Sequence, residues 1–170
     1  MKFISYQGIF FEGDSAQKLL EFQKDKLPKV VANLHCTFKF KPTRKETLDF
    51  FESLGSKDVS LKVIGYASDG KNSGFEVELP KDLKNVYLNR QKIDVDGEII
   101  ERVTPPHITV SMSEDGKAVN TGFLEFEKLE NPFYISGNAG VFTIDKDRDY
   151  SRVEYENPYK EFENSQFDEK

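Results

Sequence analysis

The chain has 170 residues, with 30 acidic against 24 basic side chains and a formal net charge of −6. That balance argues against a long phosphate-tracking surface, since nonspecific nucleic-acid binding depends on clustered Lys and Arg displacing counterions. The length is enough to bury a core without metal or disulfide staples, and the lone Cys36 excludes an internal disulfide.

Residues 3 to 11 read as a first strand. The N-terminal apolar stretch is interrupted by Ser5, Tyr6, Gln7 and Gly8 with no small-residue cleavage site behind it, so neither a signal peptide nor a membrane span is expected. A cytoplasmic, monomeric protein fits this, together with the single cysteine. Asp14 and Gln17 stand at capping-box spacing ahead of a helix that carries Leu19, Leu20 and Phe22 on one side and closes at Pro28. Val30 to Lys41 reads as a second strand. Thr43 and Glu46 then cap a helix with Leu48, Phe50 and Phe51, which Gly55 ends. Val59 to Ala67 and Phe75 to Leu79 form a hairpin around Ser68-Asp69-Gly70. Residues 81 to 104 are the least legible: LKNVYLNR reads as strand or helix, followed by a turn at Asp96-Gly97 and a short apolar piece at Ile99-Ile100. Strands follow at 107 to 112, at 133 to 144 with breaks at Gly137 and Gly140, and at 152 to 155. Residues 1–156 are read as one bilobal domain and 157–170 as an acidic, frayed tail.

The chain contains two histidines, and each opens the same pattern: His35-Cys36-Thr37-Phe38-Lys39 and His107-Ile108-Thr109-Val110-Ser111. A shift of 72 residues superposes His35 on His107, Thr37 on Thr109, Val63 on Ile135 and Gly65 on Gly137. The expectation is two similar sheet lobes, each offering one His-x-Thr strand to a common cleft. By strict alternation His35, Thr37 and Lys39 share a polar face, as do His107, Thr109 and Ser111, while Cys36, Phe38, Phe40 and Ile108, Val110, Met112 face inward.

Two imidazoles flanking a phosphodiester can divide its proton transfers, one taking a proton from the attacking hydroxyl or water and the other protonating the leaving oxygen. Threonine hydroxyls two residues along can donate to nonbridging phosphoryl oxygens. A single histidine near a strand is more often an ordinary surface or core residue; the duplicated motif is what argues for function. Zinc fits poorly, because no third soft ligand stands at metal-site spacing. Cys36 has no neighbouring cation to lower its pKa and reads as inert. The run Lys39 to Lys45 reads equally as an anion-steering patch or as the solvated start of a helix.

Over nearly its whole length the chain resembles the two-histidine (2H) phosphoesterase superfamily, on the motifs His35-Cys36-Thr37-Phe38 and His107-Ile108-Thr109-Val110. Cys36 is a less usual residue between His and Thr. The resemblance implies an α+β, bilobal, pseudo-symmetric fold of two antiparallel sheets facing a central cleft with helices outside. It implies a phosphodiesterase without metal or other cofactor, with His35, Thr37, His107 and Thr109 as catalytic residues. It does not assign acid and base between the histidines. Lys39 and Ser111 are weaker candidates for phosphate or ribose contact, and Tyr6, Tyr66 and Phe142 for base stacking. The substrates implied are a small nucleotide, a cyclic oligonucleotide such as those a phage enzyme would degrade to silence immune signalling, or an RNA terminus bearing a 2′,3′-cyclic phosphate. The competing reading is a nucleotide-sequestering protein without turnover.

Overall fold

The computed structural model describes residues 2–55 and 58–159. Its elements in chain order are β1 (Lys2–Phe10), α1 (Gly13–Phe22), β2 (Lys29–Val30), β3 (His35–Phe40), α2 (Arg44–Leu54), β4 (Val59–Ser68), β5 (Asn72–Glu78), β6 (Arg90–Val95), β7 (Glu98–Val103), β8 (His107–Met112), β9 (Glu127–Asp145) and β10 (Tyr150–Glu154). Short 3-10 turns occupy Lys81–Val86 and Ala118–Phe123. The fold is α+β, with antiparallel strands and few helices. The main sheet runs β2-β8-β5-β4-β9-β1-β3, with β10 also on β9, and β6-β7 form a separate hairpin. β9 joins the two halves of this path, pairing through Glu127–Gly137 with β4 and through Asn138–Asp145 with β1. No described helix is long and apolar enough to cross a membrane.

The core follows from the inward residues of the strands. Ile9, Cys36, Phe38, Leu61, Val63, Phe75, Ile108 and Val110 are fully buried. Phe50 brings α2 onto β3, its ring 5.4 Å from that of Phe38 and tilted at 66°. The expected capping box of α2 is present: the Thr43 hydroxyl accepts from the Glu46 N–H and the Glu46 carboxylate from the Thr43 N–H. Gly55, at φ 66°, ends the helix. The Asp96-Gly97 turn closes the β6–β7 hairpin with positive φ at both residues, the backbone such a two-residue turn requires.

Several local expectations give way to tertiary contacts. α1 starts from Glu12 without a side-chain cap, so Asp14 is not its capping residue. The helix stops at Phe22 rather than Pro28, because the Gln23 side chain is drawn into the sheet by the hydroxyls of Ser73 and Ser111. The strand expected from Val30 to Lys41 is two pieces, β2 on β8 and β3 on β1. β9 runs through Gly137 and Gly140 unbroken; a Cβ at Gly137 would strike the Phe10 carbonyl oxygen, so that glycine serves close strand approach. Of the expected tail, residues 160–170 lie outside the described residues.

Both motif strands carry the same irregularity. On β3, Thr37 faces Gly8 and Lys39 faces Gln7, which leaves Phe38 as an extra residue. On β8, Thr109 faces Gly74 and Ser111 faces Ser73, which leaves Val110 extra. One inserted residue reverses every side chain beyond it. Lys39 therefore lies on the side of Gln7, whose buried amide bonds Thr47 of α2, and Ser111 lies inward with Ser73. Phe40 instead meets Tyr6 on the side of His35, their centroids 5.7 Å apart, and is 43% exposed. These placements correct the alternation expected for Lys39, Phe40 and Ser111. The bulges coincide with the two glycines: a Cβ on Gly8 would overlap the Cys36 carbonyl oxygen, and one on Gly74 would stand 2.6 Å from that of Ile108.

Candidate active site

β3 and β8 lie side by side at the point where their motifs begin, and the Cys36 thiol hydrogen-bonds the backbone of His107. Burial pushes that thiol up to about 12, which leaves it protonated and inert. In front of it the two histidines are held by one local device. His35 Nδ1 is 2.6 Å from the carbonyl oxygen of Asn33, and His107 Nδ1 is 2.7 Å from that of Pro105. A carbonyl can only accept, so each Nδ1 carries the proton and each neutral ring keeps its Nε2 lone pair. Burial lowers the pKa of both rings. His35 falls to about 4, through burial first, with His107 adding a like-charge contribution and the bond to Asn33 opposing. His107 is lowered by burial against the opposing bond to Pro105. That like-charge contribution places the His107 imidazole within reach of the His35 ring.

The surroundings of the two rings differ. His35 stands in an aromatic wall: Tyr6 stacks on it at 4.6 Å and 26°, Phe10 lies 5.5 Å away, and Phe142 stacks on the far side of Tyr6 at 5.3 Å and 11°. The Tyr6 hydroxyl is 3.5 Å from His35 Nδ1, too long for a strong bond, and burial raises its pKa. His107 is 7% exposed and lies against the 118–123 turn, where a Cβ on Gly122 would stand 2.7 Å from its Cε1.

The threonines differ as well. Thr37 is 8% exposed, and its hydroxyl has no hydrogen-bond partner among the described residues. The Thr109 hydroxyl donates to the Thr121 hydroxyl at 2.8 Å, and the Asn72 amide donates to the same oxygen at 2.8 Å. Thr121 and Gly122 are thus site residues that motif reading missed. Gly122 carries no side chain to announce it, and Thr121 sits outside any repeat.

The structure brings the motif strands β3 and β8 into contact without pairing them, and so gathers His35, Thr37, His107 and Thr109, with Tyr6 on His35 and Phe142 on Tyr6. It places Tyr66 and Ser111 elsewhere. The Tyr66 hydroxyl is 2.6 Å from that of Ser73 and accepts from the Asp25 N–H at 2.8 Å, while its ring packs on Phe75. The Ser111 hydroxyl donates to the Gln23 carbonyl oxygen of the side chain at 2.7 Å and accepts from the Leu27 N–H at 3.1 Å. Both side chains serve a buried network that ties the segment after α1 to the sheet. Among the described residues no group of three His, Cys, Asp or Glu is placed to hold a metal ion.

Chemically the arrangement offers two hydrogen-bond-oriented imidazole bases with free Nε2 atoms, one unengaged hydroxyl and a stacked aromatic surface. No protein-family model matches the chain, and no curated protein sequence matches it.

Proposed function

We propose that the protein is a metal-independent phosphodiesterase of the 2H type, hydrolysing a cyclic or 2′-linked phosphodiester in a small nucleotide, cyclic oligonucleotide or RNA end. The observation that carries this reading is the matched tautomer of His35 and His107, each with Nδ1–H spent on a carbonyl and Nε2 free. One Nε2 takes the proton of the attacking water or hydroxyl as the new P–O bond forms. The other, protonated, gives its proton to the oxygen that leaves as the old P–O bond breaks. In the free protein burial keeps both rings neutral near pH 7; the negative charge of a bound phosphodiester offsets that burial and restores a proton to one of them. Thr37, with its hydroxyl unengaged, donates to a nonbridging oxygen of the developing phosphorane. The Tyr6 and Phe142 rings extend an aromatic surface from His35 on which a base can stack.

A bilobal, pseudo-symmetric reading is supported by the local repeats. β3 lies beyond β1 from β9 as β8 lies beyond β5 from β4, and each motif repeats the bulge, the facing glycine and the histidine anchor. The cleft would lie where β3 meets β8. The acidic net charge favours a small or cyclic nucleotide over polymeric RNA, and a phage-type enzyme that degrades cyclic-oligonucleotide signals fits that preference.

The test is chromatographic turnover, in EDTA, of 2′,3′-cyclic mononucleotides, 2′,5′-oligoadenylate, and 3′,3′- and 2′,3′-linked cyclic di- and trinucleotides. Turnover of one class is expected, at a rate EDTA leaves unchanged. A second reading, sequestration without turnover, is favoured by the neutrality of His35 at pH 7. A nucleotide retained by the protein and recovered intact after long incubation would select it.

A further inference from the structure

A hollow of about 530 Å3 lies next to His107, and neither histidine lines it. Its walls include Pro105 and Pro106, which lead directly into β8, Tyr87, Val103, and the carboxylate-bearing Glu76 and Glu78 of β5. Glu76 is the register partner of His107 across β5 and β8, so the two side chains leave the same face of the sheet. Pro105 is also the residue whose carbonyl anchors the His107 ring. The hollow is thus joined to the candidate site on two sides, through the sheet and through the backbone.

The walls are apolar and partly fixed. The Tyr87 hydroxyl donates to the Thr104 carbonyl at 2.8 Å, which sets the ring. Two prolines have no side-chain rotamers to lose on binding. Such a slot accepts a flat ring, and its volume lies in the range of ligand pockets. The polar groups on its wall are mainly acceptors: Glu76 and Glu78 lie two residues apart on one side of β5, with Lys84 of opposite sign on the lining and Lys128 near Glu76 from outside it. A carboxylate pairs best with two adjacent N–H donors. Among the common bases guanine presents such a pair, at N1 and N2, whereas adenine, cytosine and uracil do not.

We propose that this hollow is the base-binding pocket of the protein and that it selects guanine, with Glu76 accepting from the N1–H and N2–H edge and Tyr87, Val103 and the two prolines enclosing the ring. The assignment rests on the phosphodiesterase reading for the position of the phosphate, at His107. The discrimination comes from the second donor: inosine offers the Glu76 carboxylate only its N1–H, while the neighbouring Lys128 serves that carboxylate whichever base is bound.

The test is binding, which needs no turnover. Guanosine, inosine and uridine 3′-monophosphates are titrated into the wild-type protein, Glu76→Gln and Val103→Tyr by calorimetry, with amide chemical shifts followed in 15N-labelled protein. Inosine lacks only the N2 amine. Guanosine monophosphate is expected to bind at least about 10-fold more tightly than inosine monophosphate, with shifts at Tyr87 and Val103. Glu76→Gln should erase the difference, and Val103→Tyr, a change at an exposed position that fills the slot, should weaken both purines. Equal affinity for the two purines, or wild-type binding by both variants, would overturn the pocket. Neither result touches the phosphodiesterase reading, which stands or falls on turnover by His35 and His107.

Discussion

His35 and His107 are anchored alike, each directing Nδ1–H at the carbonyl oxygen two residues upstream, Asn33 in one case and Pro105 in the other. The identity of the anchors gives the two free rings the same tautomer, so in the proposed reaction the bound substrate decides which ring is protonated and serves as acid. Because the pKa of each free ring is lowered, the pH dependence of kcat/KM should form a bell whose maximum lies below pH 6.5. The kcat profile, which reports the bound state, should sit at higher pH, because the phosphodiester charge favours the protonated ring. Rates measured from pH 4 to 9 check this; a kcat/KM still rising at pH 9 contradicts it.

The same shifts act on stability. His35 has a folded pKa of about 4 against the ordinary 6.5, so between these values the unfolded chain binds the proton first. The contribution of this ring is fully present above pH 6.5 and is lost as pH falls toward 4, and His107 has the same sign. Urea midpoints at pH 7.5 and 4.5 should therefore show a smaller acid loss for His35→Asn than for wild type.

Gly122→Ala would put a methyl 2.7 Å from His107 Cε1 and 2.8 Å from Thr104 Cγ2. Something must move, and the imidazole is the nearest group. Overpacking of this kind costs about 1–3 kcal/mol. The expected outcome is a folded protein with a displaced His107 ring, read in its imidazole NMR signals, and turnover reduced about 10-fold or more.

Thr121→Val removes the oxygen that receives both the Thr109 hydroxyl and the Asn72 amide. Leaving a buried donor unpaired costs about 1–3 kcal/mol, so the urea midpoint should fall. Turnover should fall with it as the Thr109 hydroxyl loses its direction. Thr121→Ser, which restores the oxygen, should recover both; a loss of stability with unchanged kcat would assign Thr121 a structural role alone.

Gly8→Ala and Gly74→Ala test the bulges. Each methyl would meet a backbone carbonyl oxygen, that of Cys36 or Ile108, which has little room to yield in a paired strand. Both variants should lose stability by more than the roughly 1 kcal/mol typical of a point substitution, with a lowered thermal midpoint as the readout.

Most strands and the cap of α2 were legible because their causes are local: alternation along β4, β5 and β8, and the Thr43–Glu46 capping pair. The departures have long-range causes. α1 ends early because Gln23 bonds serines 50 and 88 residues away, which no local pattern records. Duplication singles out the motif residues, while Tyr6 stands out as an aromatic of the first strand and Phe142 as one beside the later strands. Lys39 and Ser111 were misplaced because a bulge is set by what stands opposite, Gly8 and Gly74, not by the bulged strand itself. Gly122 was invisible because its role is the space it leaves for His107.

The most direct measurement is single-turnover cleavage of the best substrate by wild type, His35→Ala, His107→Ala and the double variant, each checked for a wild-type fold. Each single change is expected to slow cleavage by about 10²–10⁴-fold, and the double variant to be little slower than the worse single one, because the two rings act as a unit in the proposed reaction. Wild-type cleavage by either single variant would contradict it.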